Sequence, residues 1–268
     1  MGKESDVRNI ADASKPNAGR IYDYLLGGNH NFEIDRQVAK QILQVAPHMS
    51  GFFRLIRWFL GEATRRLLDE GFTKFLDFAS GLPTMDHIHQ IAPKETKVIY
   101  SDVDPVTVAY AHDIIGENMD IRFVVCDVRK PEEILKSGVV EELFGNDRKI
   151  AIGLNGIAYF LTDDEFSHSV KVLYDWADKG SRLFLCDSDV TAAKTTEDGE
   201  KTLEIYKQMG QPLYLRTLQK TKELIAPWTT EEPGFMLVED WIDMDKKMTE
   251  KAEKTWGSGA LYGAILKK

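Results

Sequence analysis

Apolar positions first recur at helical spacing and then, past Gly71, in short continuous runs. Ile21, Tyr24 and Leu25 follow Pro16 at helical spacing, and Gly27-Gly28-Asn29 ends that helix. A second helix runs from about Phe32 to Ala46 and stops at Pro47. A third, from about Ser50 to Glu70, puts Phe53, Ile56, Leu60, Ala63 and Leu67 on one face.

After Gly71, apolar runs alternate with helical stretches. The runs are Lys74–Phe78, Lys97–Ser101, Ile121–Cys126, Lys149–Leu154 and Arg182–Cys186. The helices between them cover about Thr84–Ile91, Pro105–Ile115, Pro131–Phe144 and Thr162–Lys179. Buried strands joined by helices predict an α/β fold with a parallel sheet covered on both faces. Two more helices, about Glu197–Met209 and Leu215–Ala226, precede two final strands, Phe235–Glu239 and Ala260–Leu266. The charged link Asp243–Lys254 is hairpin-like, so this last pair is expected to be antiparallel. Residues 1–70 read as a helical cap on the same domain as the sheet portion, 71–268.

Composition narrows the function. The 268 residues carry a formal net charge of −9. Residues 1–70 are near neutral at +1, and the rest holds −10. That balance argues against nonspecific nucleic-acid binding, which needs a surplus of Lys and Arg. No apolar run approaches a membrane span, and the polar N-terminus is not a signal peptide. Met1-Gly2 with Ser5 is too weak a match for a lipidation signal. The expectation is a soluble, cytoplasmic protein. Cys126 and Cys186 end strands that lie far apart in the expected sheet order, so no disulfide is predicted.

The chemistry gathers at three strand ends. Asp77 ends the first strand and is followed by the small-residue loop Ala79-Ser80-Gly81. Gly81 allows close backbone approach to a ligand. Asp102 ends the next strand, 21 residues past Gly81, where an acid partners ribose hydroxyls. Asp127 ends the third strand, where a carboxylate can accept from the exocyclic amine of adenine. A dinucleotide pyrophosphate needs backbone donors at the helix start, yet the loop has one glycine and Pro83 removes a donor. An adenosine ligand without phosphates fits better. S-adenosylmethionine is one, and its cationic sulfonium suits an acidic site.

Residues 74–266 resemble a class I S-adenosylmethionine-dependent methyltransferase. More narrowly, Pro16-Asn-Ala-Gly-Arg-Ile-Tyr-Asp-Tyr-Leu-Leu-Gly-Gly-Asn-His-Asn-Phe-Glu-Ile-Asp-Arg36 resembles the signature of the DUF574 S-adenosyl methyltransferase family. Phe78-Ala-Ser-Gly-Leu-Pro-Thr84 and Tyr100-Ser-Asp-Val-Asp-Pro105 resemble its next two motifs. The resemblance implies a Rossmann-like seven-stranded sheet in the order 3-2-1-4-5-7-6, with the last strand antiparallel. It also implies S-adenosylmethionine as cofactor. It adds Arg20, Tyr24, Gly28 and Asn29 to the cofactor-site candidates, with Gly27-Gly28 as the hinge of a lid. Val103, Val128 and Asn155, beside the acids or at the fourth strand end, complete the set. The fourth strand ends Asn155-Gly-Ile-Ala-Tyr159, not in the Asn/Asp-Pro-Pro-aromatic motif of amino-methylating DNA enzymes, which lowers the odds of a DNA base as acceptor. The expected acceptor is a small molecule.

No residue declares itself a general base. His30, Tyr159 and Asp187 are candidates by location alone. His87 and His89 diverge on a helix, and no Cys or His spacing resembles a zinc site, so no metal is expected. His168 is read as surface. Trp228 is read as a buried plug rather than a pocket wall. Arg54, Arg57, Arg65 and Arg66 are read as a solvated basic face. The two alternatives to a methyltransferase are a noncatalytic S-adenosylmethionine-binding sensor and an NAD-dependent oxidoreductase on a Rossmann-type sheet.

Overall fold

The first helix, α1 (Ala18–Leu25), begins at Asn17. The Asn17 side chain accepts from Gly19 N at 2.8 Å and Arg20 N at 3.1 Å, satisfying two donors that a helix start leaves free. The computed structural model describes residues 14–189, 191–242 and 260–268. The link Asp243–Lys254 and the N-terminal Met1-Gly2 and Ser5 lie outside the described residues. Helices α2 (Glu33–Val45) and α3 (Met49–Asp69) complete the N-terminal segment.

The sheet begins with β1 (Lys74–Asp77), β2 (Lys97–Asp102) and β3 (Ile121–Val125), and continues with β4 (Ala151–Asn155) and β5 (Arg182–Asp189). All five are parallel, in the order β3-β2-β1-β4-β5. The C-terminal strand, which spans Ala260–Lys267, pairs antiparallel with β5 and separates it from two short pieces, β6 (Thr229–Thr230) and β7 (Met236–Leu237). We label the long strand β8. It occupies the inner place expected of a seventh strand. The sheet therefore has the order 3-2-1-4-5-8-6, that of a class I methyltransferase.

Three of the four helical stretches between the strands are shorter or more broken than the apolar periodicity suggests, whereas Pro105–Ile115 forms as expected. Only α4 (Ile88–Ile91) forms between β1 and β2, and α5 (Pro105–Ile115) follows β2. The stretch over 131–144 breaks at Ser137-Gly138 into α6 (Glu132–Lys136) and α7 (Val139–Phe144). Then come α8 (Asp163–Trp176), α9 (Glu197–Gln208) and α10 (Leu218–Leu224). The expected strand Phe235–Glu239 is reduced to β7, because Val238–Trp241 turns into a helix, α11. That turn buries Trp241, whose Nε1 donates to Gly263 O at 2.9 Å.

Alternation along the strands divides the core. Phe75, Val98, Tyr100, Ala151, Phe184 and Cys186 face α1–α3 and share one buried cluster with Ile21, Phe59 and Leu67. Leu76, Ile99, Ile152, Leu154, Leu183 and Leu185 face α8 and form the second. Helix α3 also docks on β8: a Cβ at Gly263 would strike the Phe59 ring, which sits edge-on to Trp241 at 5.4 Å. Trp228 is buried in the second cluster and donates to Val170 O at 3.0 Å. Cys126 and Cys186 are both free, and His168 lies at the surface.

Candidate functional site

The period of a strand decides which strand ends meet. Continuing the register of Phe75, Val98 and Tyr100, Ala151 and Phe184, the residues Asp77, Asp102, Asn155 and Ser188 fall on the face toward α1–α3. All four line one cavity of ≈ 590 Å³. Ala79, Ser80, Gly81, Val103, Asp127, Val128 and Tyr159 line it too. Asp187 is one residue out of step. Its carboxylate turns to the opposite face, where it accepts from Thr221 Oγ1 at 2.7 Å, and it does not border the cavity.

The loop after β1 is built for close approach. Ala79 and Gly81 both have positive φ, 51° and 64°, a conformation that costs a non-glycine residue about 1 kcal/mol or more. Ser80 fixes the turn: its N donates to Ser101 O at 2.9 Å and its Oγ to Asp77 O at 2.8 Å. Gly81 N donates to Asp102 Oδ2 at 3.1 Å, and Asp104 N to Asp102 Oδ1 at 2.9 Å. The Asp102 carboxylate is thereby oriented toward the loop.

Asp77 is buried, and its Oδ1 has no hydrogen-bond partner. It pairs in register with Gly153, where a Cβ would strike that oxygen and the Phe184 ring. Burial pushes the Asp77 carboxyl up to about 6, with the nearby Asp102 charge adding to the rise and Arg57 opposing it. Burial likewise pushes Asp102 up to about 6, opposed by the N–H bonds it accepts. Burial also works against ionised Asp127, but bonds from Arg129 Nε at 2.9 Å and the Arg129 charge hold it below the usual carboxylate range.

Arg57 corrects the sequence reading. Arg54 and Arg65 are exposed, but Arg57 is 5% exposed and lines the cavity. Its Nη1 lies 2.8 Å from His87 Nε2, which is itself 2.7 Å from Leu82 O. A carbonyl oxygen needs a donor, so one ring nitrogen cannot serve both neighbours well. Burial depresses the His87 pKa, and the Arg57 charge depresses it further. Arg57 Nε is buried without a partner. Its guanidinium carbon lies 5.3 Å from the centre of the Tyr22 ring. No signal in the helix pattern marks Arg57, because its neighbours come from residues 22 and 87.

Four expected cofactor residues do not border the cavity. Arg20 is buried behind it, bonded to Asp35 at 2.8 Å and Asp104 at 3.0 Å. Tyr24 packs against the core, and Asn29 is exposed. Gly28 abuts Asp23, whose carboxylate a Cβ would strike. That carboxylate accepts from His30 N at 2.9 Å, Asn31 Nδ2 at 3.0 Å and Thr84 Oγ1 at 3.3 Å. The turn expected as a lid is therefore pinned at Asp23, and His30 meets Tyr110 edge-on at 5.4 Å, away from the cavity. Asn17–Gly19 and residues 210–215 border the cavity instead, joined where Ala18 N donates to Gln211 Oε1 at 2.8 Å.

Among the described residues, no group of acids, His or Cys is arranged to hold a metal, and no helix is long and apolar enough to cross a membrane. The S-adenosyl methyltransferase family model matches residues 4–266. The chain belongs to this family. It superposes on a candidate methyltransferase from Thermobifida fusca YX with a TM-score of 0.84 and 26% identity, over 97% of each chain. A DUF574 family protein from Streptomyces avermitilis MA-4680 gives 0.83 and 24%, over 96% of this chain and 99% of that one. The magnesium protoporphyrin IX methyltransferase of Synechocystis PCC 6803, with S-adenosylhomocysteine bound, shares the fold at a TM-score of 0.51 and 11% identity, over 99% and 100%. No curated protein matches the chain. S-adenosylmethionine is the cofactor of this S-adenosyl methyltransferase family, and membership in it sets aside the nicotinamide-dependent alternative.

Proposed function

We propose that this methyltransferase moves the methyl group of S-adenosylmethionine onto a small-molecule acceptor, with the strand-end acids and Arg57 holding the cofactor. One observation carries this reading. Arg57 and Asp77 are both buried, both line the same cavity, and each keeps a polar atom without a partner. Isolated buried charge is costly, so opposite charges with unmet bonds suit a ligand that carries both signs. The methionine end of S-adenosylmethionine is such a ligand. Its carboxylate matches Arg57 and its ammonium matches Asp77.

The nucleoside end fits the remaining strand ends. Asp102 would accept from the ribose hydroxyls. Val103, 50% exposed on the cavity wall, and Val128 would lie against the adenine. Asp127 keeps acceptor capacity beyond its bonds to Arg129 and would take the exocyclic amine. When bound, the cofactor supplies an electrophilic methyl carbon. The chain's own part is to hold both reactants in line and to keep water from between them. The volume lies within the ~300–1,000 Å³ typical of small-molecule sites.

Calorimetry tests the reading with S-adenosylhomocysteine and with 5′-methylthioadenosine, which lacks the amino-acid end. The wild type should bind S-adenosylhomocysteine and give no heat with NAD. Arg57→Met should weaken S-adenosylhomocysteine at least about tenfold and leave methylthioadenosine unchanged. Equal weakening of both ligands, or no binding to the wild type, refutes it. Product formation from labelled S-adenosylmethionine across an acceptor panel separates turnover from mere sensing.

A further inference from the structure

The cavity has two chemically distinct halves. Carboxylates gather over β1–β3, whereas aromatic rings gather over β4 and β5. Tyr159 and Phe160 follow β4, with ring centres 5.1 Å apart, and Phe160 lies 6.0 Å from Tyr206 of α9. Phe52 and Phe53 line the same cavity from α3, which packs on β4 and β5. Phe53 also meets the Tyr22 ring at 4.8 Å. All six rings border the cavity. A wall so rich in rings favours a flat π-system, which can meet them edge-to-face or offset.

One polar atom on this side has an unmet bond. Asn155 ends β4 and borders the cavity. Its Nδ2 donates to Ile56 O at 3.1 Å. A backbone carbonyl only accepts, so this bond fixes which end of the amide is oxygen. That oxygen, Oδ1, is buried and has no partner. A buried acceptor left unmet is costly, and it calls for a ligand that donates.

We infer that Asn155 belongs to the acceptor rather than the cofactor, and that the acceptor is a planar aromatic molecule bearing a ring hydroxyl or ring amine. The inference rests on the cofactor reading above, because it needs the acidic half to be taken. Asn155 Oδ1 accepts from the O–H or N–H, and the aromatic walls hold the ring. In the transfer, the acceptor's oxygen or nitrogen gains a bond to the methyl carbon. The carbon–sulfur bond breaks with its electron pair staying on sulfur, and the acceptor's proton passes to solvent.

Four probes test this by displacement and calorimetry on the full chain saturated with S-adenosylhomocysteine: 2-naphthol, 2-naphthylamine, 2-methoxynaphthalene and decahydro-2-naphthol. The first two carry ring and donor, the third lacks the donor, and the fourth lacks the aromatic ring. At least one of the first two should bind about fivefold or more tighter than both others. Which of the two binds distinguishes hydroxyl from amine. Asn155→Leu should erase the advantage over the ether while leaving S-adenosylhomocysteine affinity unchanged. Phe160→Ala should weaken both naphthalene donors without moving S-adenosylhomocysteine.

If the ether or the saturated alcohol binds as well as the donors, or if neither donor binds, the inference fails. It fails equally if Asn155→Leu weakens S-adenosylhomocysteine, since Asn155 then serves the cofactor. Failure of the wild type to bind S-adenosylhomocysteine at all would instead overturn the cofactor reading.

Discussion

Arg20 Nη1 donates to Asp104 Oδ2 at 3.0 Å, joining α1 to the loop that holds Asp102. The same guanidinium donates to Asp35 at 2.8 Å, and Asp35 is fully buried. Arg20 is therefore a positioning residue: it sets Asp104, whose N–H orients Asp102. Arg20→Met leaves a buried charge uncompensated and should cost about 3–5 kcal/mol by urea denaturation. Cofactor affinity should fall with it, although Arg20 does not border the cavity.

Asp102→Ala should weaken S-adenosylhomocysteine by about 1.5–3 kcal/mol with a small change in stability. Normal affinity in calorimetry would remove Asp102 from the ribose site.

Gly153→Ala should be severe for a reason of space alone. The new methyl group would strike Asp77 Oδ1 and the Phe184 ring. Loss of about 1–3 kcal/mol is expected from overpacking, together with loss of cofactor binding. Thermal unfolding with and without S-adenosylhomocysteine measures both, and a ligand-induced rise in Tm equal to the wild type's contradicts the placement of Asp77.

Asp77 and Asp102 keep their protons up to about pH 6 in the folded chain, against an ordinary carboxyl value of 3.8. Between those values the folded state binds more protons than the unfolded state. Stability should therefore fall as pH rises from about 4 to about 6. Cofactor binding should run the other way, because its cations favour ionised acids. Denaturation across that window should show a shallower fall in Asp77→Asn. Calorimetry from pH 5 to 7 should show affinity rising and then levelling.

Asp187→Asn should retain methyl transfer within a few-fold, because its carboxylate meets Thr221 on the face away from the cavity. Loss of turnover with cofactor binding intact would restore Asp187 as a catalytic candidate.

Much of the sheet was legible because β1–β5 are local, continuous apolar runs. The carboxylates at their ends were legible for the same reason: each follows its strand directly. Asp187 was harder. Both faces of β5 are apolar, so alternation alone does not tell which face meets α1–α3. Arg57 was illegible, since burial of a helical arginine depends on Tyr22, His87 and Asp77, all distant in sequence. The strand expected at Phe235–Glu239 failed because Trp241 is drawn inward by Phe59 and Gly263 O, a tertiary preference that overrides local propensity. The N-terminal motif is legible as a unit, but only Asn17, Ala18, Gly19 and Tyr22 of it border the cavity, while Arg20, Asp23 and Asp35 brace the segment behind it.

The docking of Phe59 against Gly263 has a consequence for the nascent chain. The apolar face of α3 is made early and receives its last partner only when β8 emerges, about 200 residues later. At ~5–20 residues per second, that is a delay of roughly 10–40 s. During it, the patch of α3 around Phe59 that β8 covers stays without that partner, although β1, β2, β4 and β5 supply the rest of its cluster earlier.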